Sequence, residues 1–312
     1  MGIKAITVCV GYDDFLRLTI ARVLQHVDKL LVVTSHADVR TQELVAQYPK
    51  AVCHKTDAFY DDGASFNKGK AMEEGFDVLG RNGWVLILDA DIVLPATIPH
   101  FELQSGKLYT PARRIMTAID GLTELPEIDM KKLPLRQESG NFGYFQLFHA
   151  DDPVIRTLPW YETTWVHAGG ADSVFEKRWA KANRLRMPFE VVHLGDPDQN
   201  WYGRVRPRLD TGEVDASAAE RLQKVEALHR KYGWKGRRKT GEAVVERVGE
   251  TSGGVEPCHD NPVPVKTGAR KNGKRVIIVK KRGPVGKPAT IVPQPPSQPP
   301  RLRPLPNDPS AS

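Results

Sequence analysis

Apolar residues fall into short runs that alternate with amphipathic stretches over the first 90 residues. The runs at residues 3–10, 29–34, 51–54 and 84–88 predict strands. Between them, apolar positions at helical spacing predict helices over 13–26, from Asp38 (as the N-cap) through Tyr48, and over about 67–79. Strands that alternate with helices in this way predict a parallel sheet with helices on both faces.

The pattern changes in the second part of the chain. Strands are predicted at 108–115 and 142–149, separated by a long polar loop, and at 190–193. Helices are predicted at 172–183 and 217–232, the latter starting with Ser217 and Glu220 at capping-box spacing. The predicted fold class is therefore α/β, with a mixed and mostly parallel sheet flanked by helices, over about residues 1–240.

Two carboxylates, Asp89 and Asp91, directly follow the strand at 84–88. Five consecutive apolar residues predict a strand buried on both faces, and open α/β sheets bind their ligands at the carboxyl ends of such strands. Two anions at this edge repel each other, and a divalent cation with the phosphates it bridges would neutralise them. The alternative is a pair of solvated carboxylates. A second Asp-x-Asp occurs at Asp196 and Asp198, and the buried strand is what distinguishes the first.

Length and cysteine content restrict the class of protein. The 312 residues can bury a sizeable core in one large or two small domains. Cys9, Cys53 and Cys258 have no paired spacing, so neither a disulfide framework nor a zinc site is expected. The N-terminal apolar run does not have the form of a signal peptide, and no segment is long enough to span a membrane. These features predict a cytoplasmic protein.

Basic charge is concentrated at the C-terminus. Residues 251–312 carry eleven Lys and Arg against three acidic residues, a net charge of +8, whereas the whole chain carries +7. They also hold 13 of the 24 prolines and no aromatic residue. Such a segment cannot bury enough apolar surface to offset its ordering entropy, so residues 241–312 are predicted to form a disordered tail. Its charge favours attachment to a polyanion, and the alternative is a solvated linker without a partner.

Several motifs occur in an ordered set. The run 66–71 opens the third helix and precedes the Asp-x-Asp. About 80 residues beyond the Asp-x-Asp lies the run 169–175 (Gly-Gly-Ala-Asp-Ser-Val-Phe). Two further runs follow it, 191–195 (Val-Val-His-Leu-Gly) and 200–204 (Asn-Trp-Tyr-Gly-Arg). In this order the chain resembles the GT-A glycosyltransferases, in particular the inverting family 2 and its short phage and bacterial members. The resemblance covers roughly residues 3–205. It implies a nucleotide-binding half of about 1–95 and an acceptor half of about 96–240.

The resemblance implies a metal site that uses Mn²⁺ or Mg²⁺. Asp91 is the expected direct ligand, and Asp89 is expected to hold the ribose, or the metal through water. His193 matches the position from which some members offer a third ligand, and imidazole with carboxylate suits Mn²⁺ better than Mg²⁺. The alternative for His193 is a hydrogen-bonded histidine at a strand end.

Asp172 is the expected catalytic base, because inversion needs a carboxylate to take the proton of the acceptor hydroxyl. The resembled family often has Glu-Asp at this place, and here the first position is Ala171. The alternative is that Asp172 only caps the helix that follows it.

Contacts to the donor nucleotide are expected from Asn67 and Lys68, with Lys68 near phosphate or base, and from Tyr12 and Asp13 after the first strand. Asp57 is a weaker candidate of the same kind. Aromatic side chains could form a platform for the acceptor: Tyr144, Trp160 and Trp165.

The sequence thus predicts a metal-dependent inverting glycosyltransferase that moves a sugar from a nucleoside-diphosphate sugar to a hydroxyl. The acceptor is open; modified DNA or another polyanion held by the basic tail is one candidate, and no membrane partner is expected. The localisation would be the host cytoplasm if the chain is phage-encoded. Two alternatives remain: a nucleotidyltransferase, although residues 10–14 lack the expected glycine-rich basic loop, and a nucleic-acid-binding protein with a GT-A-like scaffold.

Overall fold

The computed structural model describes residues 2–136, 143–196 and 203–232, all within one compact unit, Met1–Val248. The predicted tail at 241–312 lies outside the described residues. Eight strands form one sheet: β1 (Ile3–Val8), β2 (Lys29–Thr34), β3 (Ala51–Lys55), β4 (Trp84–Leu88), β5 (Ile92–Val93), β6 (Leu108–Met116), β7 (Phe145–His149) and β8 (Arg184–Leu194). In these described ranges, five α-helices accompany them: α1 (Asp13–Leu24), α2 (Val39–Val45), α3 (Lys68–Leu79), α4 (Ala171–Glu176) and α5 (Ala218–Tyr232).

The order of strands across the sheet is β3-β2-β1-β4-β7-β6-β8-β5. The first four are parallel, β7 runs antiparallel between β4 and β6, β8 is parallel to β6, and β5 is antiparallel to β8. The predicted fold class, a mixed α/β sheet flanked by helices, is confirmed. Since β1 and β4 are parallel neighbours, the residues that follow each of them meet at one edge of the sheet.

Strand β4 is buried on both faces, as its apolar sequence predicts. All five residues are buried, and successive side chains point to opposite sides of the sheet. Trp84, Leu86 and Leu88 belong to a core cluster with α1 and α2, whereas Val85 and Ile87 belong to a second cluster with α3 and α4. The strand that carries the Asp-x-Asp at its end is therefore held by two cores.

The predicted helix over 172–183 is wrong in length. Helix α4 ends at Glu176, and a separate 3₁₀ turn spans Lys181–Asn183. Between them Trp179 turns into the core, where its indole Nε1 donates to Asp152 at 3.0 Å and its ring contacts Phe148 and Phe175. Burial of this large ring, with its indole N–H bonded, stabilises the break after α4.

The predicted strand at 190–193 is too short, because β8 starts at Arg184. Pro188 hides the strand in the sequence, since proline cannot donate to a sheet ladder. The structure accommodates it through a register shift between β6 and β8, which occurs at Pro111 of the facing strand. Other predicted boundaries differ by three residues or fewer, and Asp38 caps α2 by accepting from the Thr41 amide at 3.2 Å.

Within the described ranges, no helix combines the length and apolar character needed to cross a bilayer.

Candidate active site

A cavity of about 490 Å³ opens at the edge of the sheet where β1 and β4 end. Its apolar lining includes Val8, Val10 and Phe66. Most of the residues singled out in the sequence line it, together with several that were not, and the charged ones are Lys68, Asp89, Asp91, Arg113, Arg136, Asp172 and Asp196. The uncharged polar lining includes Tyr12, Tyr144, Ser173 and His193.

Lys68 and Asp89, which both line the cavity, form an ion pair. The Lys68 Nζ donates to Asp89 Oδ1 at 2.7 Å, and the lysine side chain is only 13 % exposed. Burial lowers the pKa of Lys68, but the charges of Asp89, Asp172 and Asp91 outweigh it and raise that pKa overall. The lysine stays charged, at the first residue of α3, where the helix dipole alone would disfavour a cation.

Asp91 is the most buried carboxylate of the Asp-x-Asp. Its Oδ1 is buried and has no hydrogen-bond partner among the residues that the structure describes. Burial raises the pKa of Asp91; His193 and Arg113 act against this shift, and Asp89 adds to it. A buried carboxylate oxygen without a partner costs free energy unless a cation satisfies it.

His193 lies beside Asp91, with 3.6 Å between Nε2 and Asp91 Oδ2. Its Nδ1 lies 3.1 Å from the Gly195 carbonyl, which can only accept, so Nδ1 carries a proton. In the neutral ring, Nε2 then presents a lone pair toward Asp91. Two electron-pair donors that face each other suit a shared cation, and a carbonyl that orients the ring is typical of histidine ligands.

The three predicted ligands are not all equivalent. Asp89 is held by Lys68, and within the described ranges no three acidic, histidine or cysteine side chains converge on one point. Asp91 and His193 therefore fit a divalent cation that takes its remaining ligands from phosphates and water, as in an open catalytic site.

Asp172 faces the same cavity from the start of α4. Its Oδ2 accepts from the Gly143 amide at 3.0 Å and its Oδ1 from the Ser173 amide at 2.7 Å. The helix N-cap is Gly170, at φ 100°, and no side chain caps it. Asp172 is thus the second residue of the helix and not its cap. Its carboxylate is held by two amides and borders the cavity.

Tyr12, which the sequence predicts to contact the nucleotide, lines the cavity, as Lys68 does. Its ring packs edge-on against Phe15, with centroids 5.5 Å apart, and the Arg204 guanidinium lies 4.8 Å from its centroid. Burial raises the pKa of Tyr12, so the phenol stays protonated. A fixed, neutral aromatic ring at this place can contact a flat ligand.

Asp13 and Asn67 are not brought into the cavity lining. Asp13 is 1 % exposed and accepts two bonds from Arg208, at 2.6 and 2.8 Å. Asn67 caps α3 by accepting from the Lys70 amide at 3.1 Å, and its amide group donates to the Thr163 carbonyl at 2.9 Å. Both side chains support the walls of the cavity.

The three aromatic residues expected to form an acceptor platform are separated. Tyr144 lines the cavity and donates its hydroxyl proton to the Pro111 carbonyl at 2.6 Å. Trp160 packs in the core against Phe76 and Phe148, and Trp165 lies under Gly170, where a side-chain Cβ would meet its ring at 2.6 Å. Of these three aromatic residues, Tyr144 is the one that lines the cavity.

Asp57 lies outside the cavity and accepts from the His36 amide at 3.4 Å.

Four arginines have no role in the sequence-based prediction, although one of them, Arg204, ends the motif at 200–204. Arg113 and Arg136 line the cavity, while Arg204 and Arg208 hold Asp14 and Asp13 in buried ion pairs that join residues about 190 positions apart. Arg113 lies inside a predicted strand, so a charged residue in an apolar run was the available signal. The pairing of distant residues leaves no local signal. Trp201, Tyr202 and Asp198 lie outside the described residues.

No family model and no curated protein matches the chain. Among solved structures it is similar to 4-diphosphocytidyl-2C-methyl-D-erythritol synthase from Anaerococcus prevotii DSM 20548 (11 % identity, 73 % of this chain and 96 % of that chain, TM-score 0.33). It is also similar to M. tuberculosis glucosyl-3-phosphoglycerate synthase (15 % identity, 77 % of this chain and 82 % of that chain, TM-score 0.35). A third similar structure is the inositol-1-phosphate CTP transferase from T. maritima (8 % identity, 72 % of this chain and 96 % of that chain, TM-score 0.31). Identities and scores this low assign no activity to the chain.

Proposed function

We propose that the chain is a metal-dependent inverting glycosyltransferase of the GT-A type, which transfers a sugar from a nucleoside-diphosphate sugar to an acceptor hydroxyl. The observation that carries this proposal is the convergence of three elements in one cavity: the pair Lys68–Asp89, the pair Asp91–His193, and the carboxylate of Asp172. Each supplies a part of the chemistry that sugar transfer requires.

The donor is held at the nucleotide side of the cavity. Tyr12 presents its ring beside the end of β1, and Lys68 presents a buried ammonium. In the bound state Lys68 can bridge Asp89 and the diphosphate, and charge-assisted bonds of this kind are stronger than neutral ones. Asp89 then keeps Lys68 oriented and stays free to accept from the ribose.

A divalent cation, Mn²⁺ or Mg²⁺, would be held by Asp91 and His193 and would supply neutralisation of the charge on the departing diphosphate. The unpartnered Oδ1 of Asp91 and the lone pair on His193 Nε2 are what support this assignment. Lys68, with its raised pKa, adds a fixed positive charge on the same side.

Asp172 takes the proton of the attacking hydroxyl. Two amide donors hold its carboxylate in one orientation, so it is positioned before the acceptor arrives. A single carboxylate that acts as base on the face opposite the leaving group gives inversion at the anomeric carbon.

A nucleotidyltransferase is the second candidate, since the same cavity could bind a nucleoside triphosphate. The two reactions release different products. Incubation with nucleoside-diphosphate sugars and Mn²⁺ should release a nucleoside diphosphate, whereas a nucleotidyltransferase releases pyrophosphate from a triphosphate. We expect diphosphate release from at least one donor and no pyrophosphate from any triphosphate; the opposite pattern would overturn the proposal. Donors can be ranked first by thermal shift, because binding raises the melting temperature.

A further inference from the structure

Two arginines line the part of the cavity that lies away from β1. Arg113 lies on β6 and is 5 % exposed, and Arg136 lies within the long connection between β6 and β7. The Arg136 amide donates to the Arg113 carbonyl at 3.0 Å, so the backbone segment that carries Arg136 lies beside β6 at Arg113. Both guanidinium-bearing residues contribute to the wall of the same cavity.

The Arg113 guanidinium is held in place by an aromatic ring. Its central carbon lies 4.3 Å from the centroid of Tyr144, whose hydroxyl is fixed on the Pro111 carbonyl. An arginine that stacks by its face keeps its N–H donors at the edge of the plane, in the geometry that matches phosphate oxygens. The ring thus orients Arg113 before a ligand binds.

Arg113 lines the same cavity as the expected base, Asp172, and the expected metal ligands, Asp91 and His193. Tyr144, on which it stacks, follows Gly143, whose amide binds Asp172. A phosphate bound at Arg113 would therefore lie in the same cavity as Asp172, which takes the proton of the attacking hydroxyl.

We propose that Arg113 and Arg136 form a phosphate site for the acceptor, so that the substrate class is a hydroxyl compound that carries a phosphate group. This inference rests on the proposed function. A phosphate monoester carries a charge of about −1.5 to −2 at neutral pH, which two guanidinium groups match. The diphosphate of the donor is the other source of the same chemistry, but Lys68 at the start of α3 serves it on the nucleotide side.

Calorimetric titrations of metal-free protein with inorganic phosphate, and of Mn²⁺-loaded protein with a nucleoside diphosphate, distinguish the two sources. Arg136→Gln and Arg113→Gln should each weaken phosphate binding about tenfold or more, as expected for a lost charged hydrogen bond, and leave nucleoside-diphosphate affinity within about twofold. Lys68→Met should weaken nucleoside-diphosphate binding and leave phosphate affinity within about twofold. Arg17→Gln, at an exposed position of α1, is the matched control.

Arg136→Gln keeps the test valid even if Arg113→Gln unfolds the domain, because Arg136 is only partly buried. The proposal is overturned if wild-type protein binds no phosphate, or if the arginine variants lose nucleoside-diphosphate affinity in place of phosphate affinity. Failure of the wild type to bind any nucleoside diphosphate is a separate result, and it contradicts the proposed function itself.

Discussion

The backbone amide of Gly143 donates a hydrogen bond to Asp172 Oδ2 at 3.0 Å. The contact joins the residue just before β7 to the start of α4, 29 positions away, and it orients the carboxylate that we assign as the base. A Cβ on Gly143 would lie 2.5 Å from the Cβ of Asp172 and 2.6 Å from Oδ2. Only glycine allows this approach without displacement.

Gly143→Ala should therefore displace Asp172 without removing it. We expect kcat to fall by a factor on the order of 10², which is the cost of misplacing a catalytic group by about 1 Å. Donor affinity should be unchanged, since Lys68 and Tyr12 lie on the other side. Steady-state kinetics with a separate nucleoside-diphosphate titration checks both. Normal turnover in this variant would show that the Gly143 contact has no part in positioning the base.

Asp172→Asn tests the base directly. We expect kcat to fall by about 10²- to 10⁴-fold, the usual contribution of a general base, with Mn²⁺ and donor still bound. The product must have inverted anomeric configuration by NMR, and a retained configuration would remove Asp172 from this role. The structure adds a second consequence: two amides donate to the two carboxylate oxygens, and an Asn side chain has only one oxygen. Loss of one bond should lower the free energy of unfolding by about 1 kcal/mol.

Lys68 and Lys70 offer a matched pair on one helix. Lys68 is buried against Asp89, whereas Lys70 pairs with Asp61 and Asp62 outside the cavity. Lys68→Met should weaken nucleoside-diphosphate binding by about 10- to 100-fold, the value of a hydrogen bond to a charged group. Lys70→Met should leave it unchanged. Equal affinities of the two variants in calorimetry would contradict a donor-binding role for Lys68.

Much of the nucleotide side is readable from the sequence, because its signals are local. The Asp-x-Asp follows a run of buried apolar residues, and Asn67 stands directly before an amphipathic helix. A sequence pattern indicates that a polar residue is at a helix start, but it does not show whether the side chain caps the helix or faces a ligand. Asn67 caps, and Lys68, the next residue, faces the cavity.

Contacts between residues that are distant in the sequence are less readable, because they leave no local signal. Arg204 reaches Asp14 across 190 positions, and Arg208 reaches Asp13 across 195. Asp13, a predicted nucleotide contact, is therefore buried and paired with Arg208, outside the cavity lining. The break after α4 depends likewise on a contact between distant residues, the hydrogen bond from Trp179 to Asp152. The sequence near residue 177 contains no local signal that predicts this break.

Asp210 gives a pH dependence of stability. Hydrogen bonds from Arg208 lower the pKa of Asp210 below its usual value of 3.8. A lowered folded-state pKa stabilises the fold above about pH 4, and this contribution is lost as the pH falls through the folded-state value. The melting temperature of Asp210→Asn should therefore lie below that of the wild type at pH 7, and the gap should close as the pH falls below about 4. A gap that stays constant over this range would show that Asp210 does not act through its charge.

The Mn²⁺ dependence of donor cleavage in wild type and Asp91→Ala tests the central claim most directly. Nucleoside-diphosphate release from the preferred donor should rise with Mn²⁺ in the wild type and in the control Asp120→Ala, a substitution at a side chain 90 % exposed. In Asp91→Ala it should be absent at every Mn²⁺ concentration. The metal-free melting temperature of this variant should equal or exceed that of the wild type, because a buried carboxylate oxygen without a partner is removed. Near-normal, Mn²⁺-dependent release by a folded Asp91→Ala protein would contradict the account.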